Sequence, residues 1–200
     1  MKIIVGTPRS GSSFVTEWYA NQYPEYQYMF PDKLGEYFHP DFFDTQDIDQ
    51  ETCDRLTTLP KNCIFKLHTG KEMSKYIWDF VYTKPIILVK RKDVLGQFIS
   101  YGIGNTTNKW VNYKAKNRNG LEPNTQFYYK KEWFDDLLNR IDELHKREKH
   151  LNIERTVWFE ELNNFSNNGV LPRRQNWQSN EEKLQLIKNK TEFLSWFNDI

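Results

Sequence analysis

Two stretches of this chain have the residue types and spacing to hold an oxyanion. The first is Gly6-Thr7-Pro8-Arg9-Ser10-Gly11-Ser12-Ser13, a run of small and hydroxylic residues after Lys2-Ile3-Ile4-Val5. A strand that feeds such a loop into a helix turns backbone N–H groups toward one point, at the positive end of the helix dipole, and makes a phosphate cradle. Gly6 and Gly11 have the spacing of a Walker A loop, but Ser12 stands where that motif carries its lysine. The loop suits an oxyanion, while the nucleoside-triphosphatase reading is weakened. Arg9 adds a fixed cation inside the loop. The plainer reading is a tight strand-to-helix turn that needs glycine for geometry alone.

The second stretch is Lys90-Arg91-Lys92-Asp93 with Gln97 and Ser100 following. It begins at the carboxyl end of an expected parallel strand, the edge where open α/β sheets bind ligands. Arg91 offers a forked cation and Ser100 a hydroxyl, a pair that distinguishes a phosphate from a bare ribose. The plainer reading is a solvated basic helix start with Asp93 as its first-turn dipole partner.

Further groups gain meaning only in company. Lys66 and His68 alternate at the end of another expected strand and so point to the same side, a cation and a base that suit group transfer. A lone strand-end histidine is more commonly structural. Gly35-Glu36-Tyr37-Phe38-His39-Pro40 places a single carboxylate in an aromatic loop, ordinary surface unless the loop folds over the pocket. Phe159-Glu160-Glu161-Leu162 and the adjacent Arg173 and Arg174 read as a charged surface loop, or as arginines closing over a phosphate.

The elements that must carry these residues are legible as alternating periods. Strands are expected at 2–6, 63–67 and 85–90, each followed by a helix, at 11–21, 71–82 and 92–103. A fourth strand is expected at 153–158, after a long helix at 125–150 whose Phe134, Leu137, Leu138, Ile141 and Leu144 form one apolar stripe. A last helix is expected at 179–196, docking through Leu184, Ile187, Phe193 and Leu194. Short apolar runs between helices indicate a parallel sheet covered on both faces. With the Walker-like loop, this predicts an α/β, P-loop-like three-layer fold, a central parallel sheet flanked by helices. A single domain over 1–200 is expected, with irregular insertions at about 23–60 and 104–124.

Composition narrows the partners. The 200 residues carry a formal charge of +1, so no global field points to nucleic acid or an acidic membrane. The apolar run Ile86-Ile87-Leu88-Val89 is far too short to span a bilayer. Lys2 and three branched residues before a polar loop make no signal peptide, so a cytoplasmic location is expected, with Cys53 and Cys63 reduced. His39, His68, His145 and His150 show no zinc spacing with the cysteines, and no metal is expected. The oligomeric state is not readable.

Taken together, the motifs resemble those of sulfotransferases that use 3′-phosphoadenosine 5′-phosphosulfate (PAPS), most closely the bacterial trehalose-type enzymes. Gly6 to Ser13 resembles the family's 5′-phosphosulfate loop, and Arg91 to Ser100 its 3′-phosphate element. Gly35-Glu36-Tyr37-Phe38, Lys66-Leu67-His68, the Arg91/Asp93/Gln97/Ser100 helix and Phe159-Glu160-Glu161-Leu162 match its further motifs in order. The proline of the glutamate motif is missing, Arg9 stands where cytosolic eukaryotic enzymes have lysine, and the chain is short for acceptor-binding insertions.

The resemblance implies sulfuryl transfer from PAPS to an acceptor hydroxyl, on a carbohydrate or other small molecule, with 3′-phosphoadenosine 5′-phosphate (PAP) as product. It implies donor binding by Pro8, Arg9, Ser10, Gly11, Ser12, Ser13, Arg91, Ser100, Arg173 and Arg174. Arg9 and Lys66 would stabilise charge, with Glu36 as general base ahead of His68. Tyr23, Tyr26, Tyr28, Tyr37, Phe38 and Phe42 are candidates either for stacking on an acceptor or for the core. The rival readings are a P-loop small-molecule kinase, for which no loop lysine or magnesium carboxylate is evident, and a non-catalytic sensor or scaffold that binds PAP.

Overall fold

The computed structural model describes residues 1–29, 50–69, 74–107, 126–162 and 179–200, with backbone alone at 50–53. Five strands form one sheet: β1 (Lys2–Gly6), β2 (Gln27–Tyr28), β3 (Cys63–His68), β4 (Pro85–Lys90) and β5 (Asn152–Trp158). Their order is β2-β3-β1-β4-β5, and every neighbouring pair is parallel. The helices are α1 (Ser12–Gln22), α2 (Gln50–Thr58), α3 (Lys75–Tyr82), α4 (Val94–Thr107), α5 (Lys131–Glu148), α6 (Asn180–Leu184) and α7 (Lys190–Asn198). The fold is α/β, a central parallel sheet flanked by helices. Among the described residues no helix is long and apolar enough to cross a membrane.

The described residues fall into two compact units, one drawn from Met1–Lys92 and Asn139–Arg173, the other from Asp93–Leu138 and Arg174–Ile200. The first holds the sheet. Ile3 and Val5 of β1, Phe65 and Leu67 of β3, and Ile86 and Leu88 of β4 share a core with Leu56 of α2, Ile77, Trp78 and Val81 of α3, and Leu144 of α5. Strand alternation sends Ile4, Lys66 and His68 to the opposite face, where α1 lies against β1 and β3. The connection from β1 to β2 thus crosses one face. Among the described residues, α2 before β3 and α3 between β3 and β4 pack on the opposite face, and those steps run the other way across the sheet. That pairing of direction with face gives these crossovers one hand, as strand twist requires.

The second unit is built on aromatic packing. Phe98 of α4 meets Phe134 of α5 at 4.5 Å between ring centres, and Tyr129 meets Phe193 of α7 at 4.6 Å. The Tyr129 hydroxyl donates to the Phe98 carbonyl at 2.8 Å. Asp93 caps α4 by accepting from the Gly96 N–H at 2.8 Å, and also accepts from Asn180.

Several expected elements differ. The long helix starts at Lys131 rather than near 125, and the last helix is divided into α6 and α7. Both differences have one cause. Phe127 forms a parallel bridge with Ile187, its N–H donating to Leu186 O and its carbonyl accepting from Lys188 N–H, each at 2.8 Å. That pairing holds 127 and 187 extended and buries both side chains, so neither helix can run through. The segment 23–60, expected to be irregular, contributes the edge strand β2 and the helix α2, the latter beginning at Gln50. Two residues of strand are too few to show alternation, and α2 is mostly polar. The expected irregular segment 104–124 begins inside α4, which runs on to Thr107; residues 108–124 lie outside the described residues.

Tyr23 and Tyr26 stand far from the loop that follows β1. α1 runs back across the sheet, so its carboxyl end lies at the sheet's amino-terminal edge. There Gln27 N–H donates to Asn62 O at 2.6 Å, just before β3. Tyr19 stacks on Tyr23 at 5.5 Å, and Tyr23 meets Tyr26 edge to face at 6.5 Å. They cover that edge rather than any ligand at the opposite one. Tyr37, Phe38 and Phe42 lie outside the described residues.

Candidate anion and group-transfer site

The loop after β1 begins as a turn. Ser10 N–H donates to Thr7 O at 3.2 Å, with Pro8 and Arg9 between them. Proline fits the second position of such a turn through its fixed φ. Arg9 occupies the third with φ 63°, the sign a type II turn needs there and one that glycine usually supplies. A left-handed arginine costs about 1–2 kcal/mol. Gly11 follows with φ 94° and leads directly into α1. Having no side chain, it cannot cap the helix, and the first-turn N–H groups of α1 have no partner within the helix itself.

Two side chains of β3 reach this loop. The Lys66 ammonium, 2% exposed, donates to Ser13 Oγ at 2.5 Å. His68 Nε2 and Ser12 Oγ lie 2.8 Å apart and share a proton whose owner depends on the histidine tautomer. The β1–β3 register pairs Ile4 with Lys66 and Gly6 with His68, which sets both side chains beside the start of α1. Thr69 N–H donates to Gly6 O at 3.0 Å, extending the pairing by one bond. Arg140 of α5 grips the Thr69 carbonyl at 2.8 Å and fixes the exit of β3.

On the other side of β1 stands Arg91, at the end of β4. Its Nη1 donates to the Arg9 carbonyl at 3.4 Å, and its guanidinium lies 4.2 Å from the centre of the Phe159 ring. Phe159 to Leu162 form one short 3₁₀ turn directly after β5. In this turn Glu160 accepts from the Lys92 N–H at 3.0 Å, and Glu161 pairs with the Lys92 ammonium at 3.3 Å. Phe159 and Leu162 also press on Gly11. A Cβ there would stand 2.7 Å from Phe159 Cδ2 and 2.9 Å from Leu162 Cδ1.

The carboxyl ends of β3, β1 and β4 lie side by side, at the edge where open α/β sheets bind ligands. There the fold brings together Pro8, Arg9, Ser10, Gly11, Ser12, Ser13, Lys66, His68 and Arg91. Ser100 lies half-buried on α4 in the second unit. Glu36, Arg173 and Arg174 lie outside the described residues. Among the described residues no cluster of three or more His, Cys, Asp or Glu side chains could hold a metal ion. Cys63 is a buried free thiol at the start of β3, and its burial pushes its pKa up.

Phe159, Glu160, Leu162 and Thr69 are absent from the expected site residues. The Phe159–Leu162 quartet is visible as a motif, but its contact with Arg91 joins residues nearly seventy positions apart and has no local signal.

The class defined by fold and site is thus an α/β protein with a glycine- and serine-rich loop at the carboxyl edge of its parallel sheet. No protein-family model, curated protein or solved structure matches the chain.

Proposed function

We propose that this chain is a PAPS-dependent sulfotransferase with a P-loop-like fold, acting on a hydroxyl of a carbohydrate or other small molecule. The observation that carries the reading is the meeting of the β1 loop with Arg91 at the carboxyl edge of the sheet. One cradle there offers backbone N–H groups at a helix start, and a forked cation stands beside it. The left-handed backbone at Arg9 adds support, because strain of this kind concentrates at functional sites. So does Ser10 Oγ, which is buried with no hydrogen-bond partner among the described residues and is available to an incoming oxyanion.

In this reading the loop from Pro8 to Ser13 holds the 5′-phosphosulfate. Arg91 binds the 3′-phosphate. The acceptor oxygen attacks sulfur in line, and the bond from sulfur to the bridging oxygen breaks. PAP departs with that oxygen, and the acceptor proton passes to a base. Sulfuryl transfer is taken to share the loose transition state of phosphoryl transfer, so positioning and charge stabilisation supply most of the rate. Lys66, held beside the loop by Ser13, meets the sulfuryl oxygens, and Arg9 meets the charge growing on the bridging oxygen. Glu36 is the preferred base. His68 is the alternative, adjoining the loop through Ser12.

The lysine of a triphosphatase loop is replaced by Ser12, which favours a donor whose γ-position need not be gripped. The test is thermal denaturation with PAP, AMP, and ATP with magnesium. PAP is expected to raise the melting temperature most, because ligand at a hundredfold excess over its dissociation constant stabilises by about 2.7 kcal/mol. A shift with ATP and magnesium and none with PAP removes this reading in favour of a kinase. A shift with PAP but no transfer to any of a broad panel of hydroxyl acceptors leaves a nucleotide sensor.

A further inference from the structure

The carboxyl end of β3 is held from both faces of the sheet. Alternation sends Lys66 and His68 toward α1, where they meet Ser13 at 2.5 Å and Ser12 at 2.8 Å. The same alternation sends Thr69, one position past the strand, to the opposite face with Phe65 and Leu67. Thr69 is fully buried there against α5. Its hydroxyl donates to the Arg140 carbonyl at 3.1 Å, and its own carbonyl accepts from Arg140 Nη1 at 2.8 Å. Its N–H donates to Gly6 O at 3.0 Å. Every polar group of Thr69 is therefore bound, and two of the three bonds close a reciprocal clasp on one residue of α5. A buried hydroxyl needs such a partner, and a valine of the same shape would fill the space without using it.

The clasp bears on the site through its place in the chain. His68 is joined to Thr69 directly, and Lys66 lies one strand repeat earlier. The start of the loop, by contrast, is tied to Thr69 through its backbone N–H, which any residue except proline keeps. The Thr69 side chain thus acts on the end of β3 rather than on the loop.

We infer that Thr69 is a positioning residue for group transfer: by clasping Arg140 it fixes the end of β3, and with it the placement of Lys66 and His68 against the start of α1. This rests on the sulfotransferase reading, in which those two side chains serve the transferring group while the loop holds the donor. Thr69 touches no reacting atom and acts through its strand. Loosening the clasp therefore slows transfer, while the loop goes on binding the donor. Small displacements of reacting groups carry large costs in rate, up to about a hundredfold for about 1 Å.

The experiment compares wild type, Thr69→Val and Thr69→Ser. Turnover is measured for transfer from radiolabelled PAPS to the hydroxyl acceptor, out of a broad panel, that wild type sulfates fastest. PAP affinity is measured by calorimetry on the same proteins. Thr69→Val is expected to lower kcat about fivefold or more, and Thr69→Ser, which keeps the hydroxyl, to stay within about twofold of wild type. PAP affinity is expected to stay within about twofold throughout. A folded Thr69→Val protein with wild-type kcat overturns the inference while the sulfotransferase reading stands. Equal losses of kcat and PAP affinity, or a serine variant as slow as the valine one, make the role purely structural and overturn it as well. Wild type that transfers sulfuryl to no acceptor of the panel overturns both. If Thr69→Val does not fold, Thr69→Ala with the same two measurements decides between the same outcomes.

Discussion

At the scale of single residues, two cations stand beside the loop that follows β1. Lys66 is buried against a serine hydroxyl and Arg91 lies on a phenyl ring. If Arg91 forks onto a 3′-phosphate, Arg91→Ala weakens PAP binding at least about tenfold, since a charge-assisted contact contributes about 1.5–3 kcal/mol. Binding of adenosine 5′-phosphosulfate, which lacks that phosphate, should scarcely change. Calorimetry with both ligands decides it, and equal weakening would make Arg91 a folding residue. The base is tested by a second pair of variants. Glu36→Gln keeps shape and removes the proton-accepting charge, and a loss of about 10²–10⁴ in turnover is expected with PAP affinity nearly unchanged. His68→Asn is expected to cost less. An inactive His68→Asn beside an active Glu36→Gln would exchange the two roles.

At the scale of elements, the turn from β1 into α1 and the turn after β5 are shaped to each other. Gly11→Ala meets two obstacles, a φ of 94° and side-chain carbons within 3 Å of the new Cβ. The left-handed backbone alone costs about 1–2 kcal/mol, and displacing Phe159 and Leu162 adds the cost of overpacking. Urea denaturation should therefore show a loss of at least about 1 kcal/mol, accompanied by weaker PAP binding as Phe159 shifts under Arg91. An alanine variant with wild-type stability and affinity would contradict this description of the loop. The bridge between Phe127 and Ile187 acts at the same scale: two hydrogen bonds decide where two helices begin and end.

At the scale of the whole molecule, burial of acidic hydroxyl and thiol groups makes stability fall in alkali. Burial pushes the pKa of Tyr129 well above the ordinary 10.0, reinforced by nearby Tyr101 and Asp136, and raises Tyr19 and Cys63 as well. The native state then holds these protons more tightly than the unfolded chain. Their contribution is complete below the unfolded pKa values, 9.0 for the thiol and 10.0 for the phenols. It is lost as the pH climbs through that range toward the folded values. Tyr129→Phe removes the bond to the Phe98 carbonyl and should lower stability near pH 8 by about 1 kcal/mol. It should also flatten the alkaline decline when urea midpoints are followed upward in pH. An unchanged decline would place the alkaline loss on other groups.

Much of this architecture is written locally. The apolar runs at 2–6, 63–67 and 85–90 are strands because residues buried on both faces of a parallel sheet must be apolar throughout, and that pattern needs no distant partner to be seen. The loop from Gly6 to Ser13 announces itself through glycine and serine at a strand-to-helix junction, and the alternation of Lys66 and His68 puts both on one side of their strand. What the tertiary structure alone decided is of another kind. β2 is a strand only because β3 offers it an edge, and the break between α6 and α7 exists because Phe127 pairs with Ile187 across sixty residues. Arg91 meets the ring of Phe159, nearly seventy positions further along the chain. Hydrophobic period and turn chemistry are properties of neighbouring residues, whereas strand order, sheet edges and the meeting of Arg91 with Phe159 are fixed by long-range contacts that leave no period in the sequence.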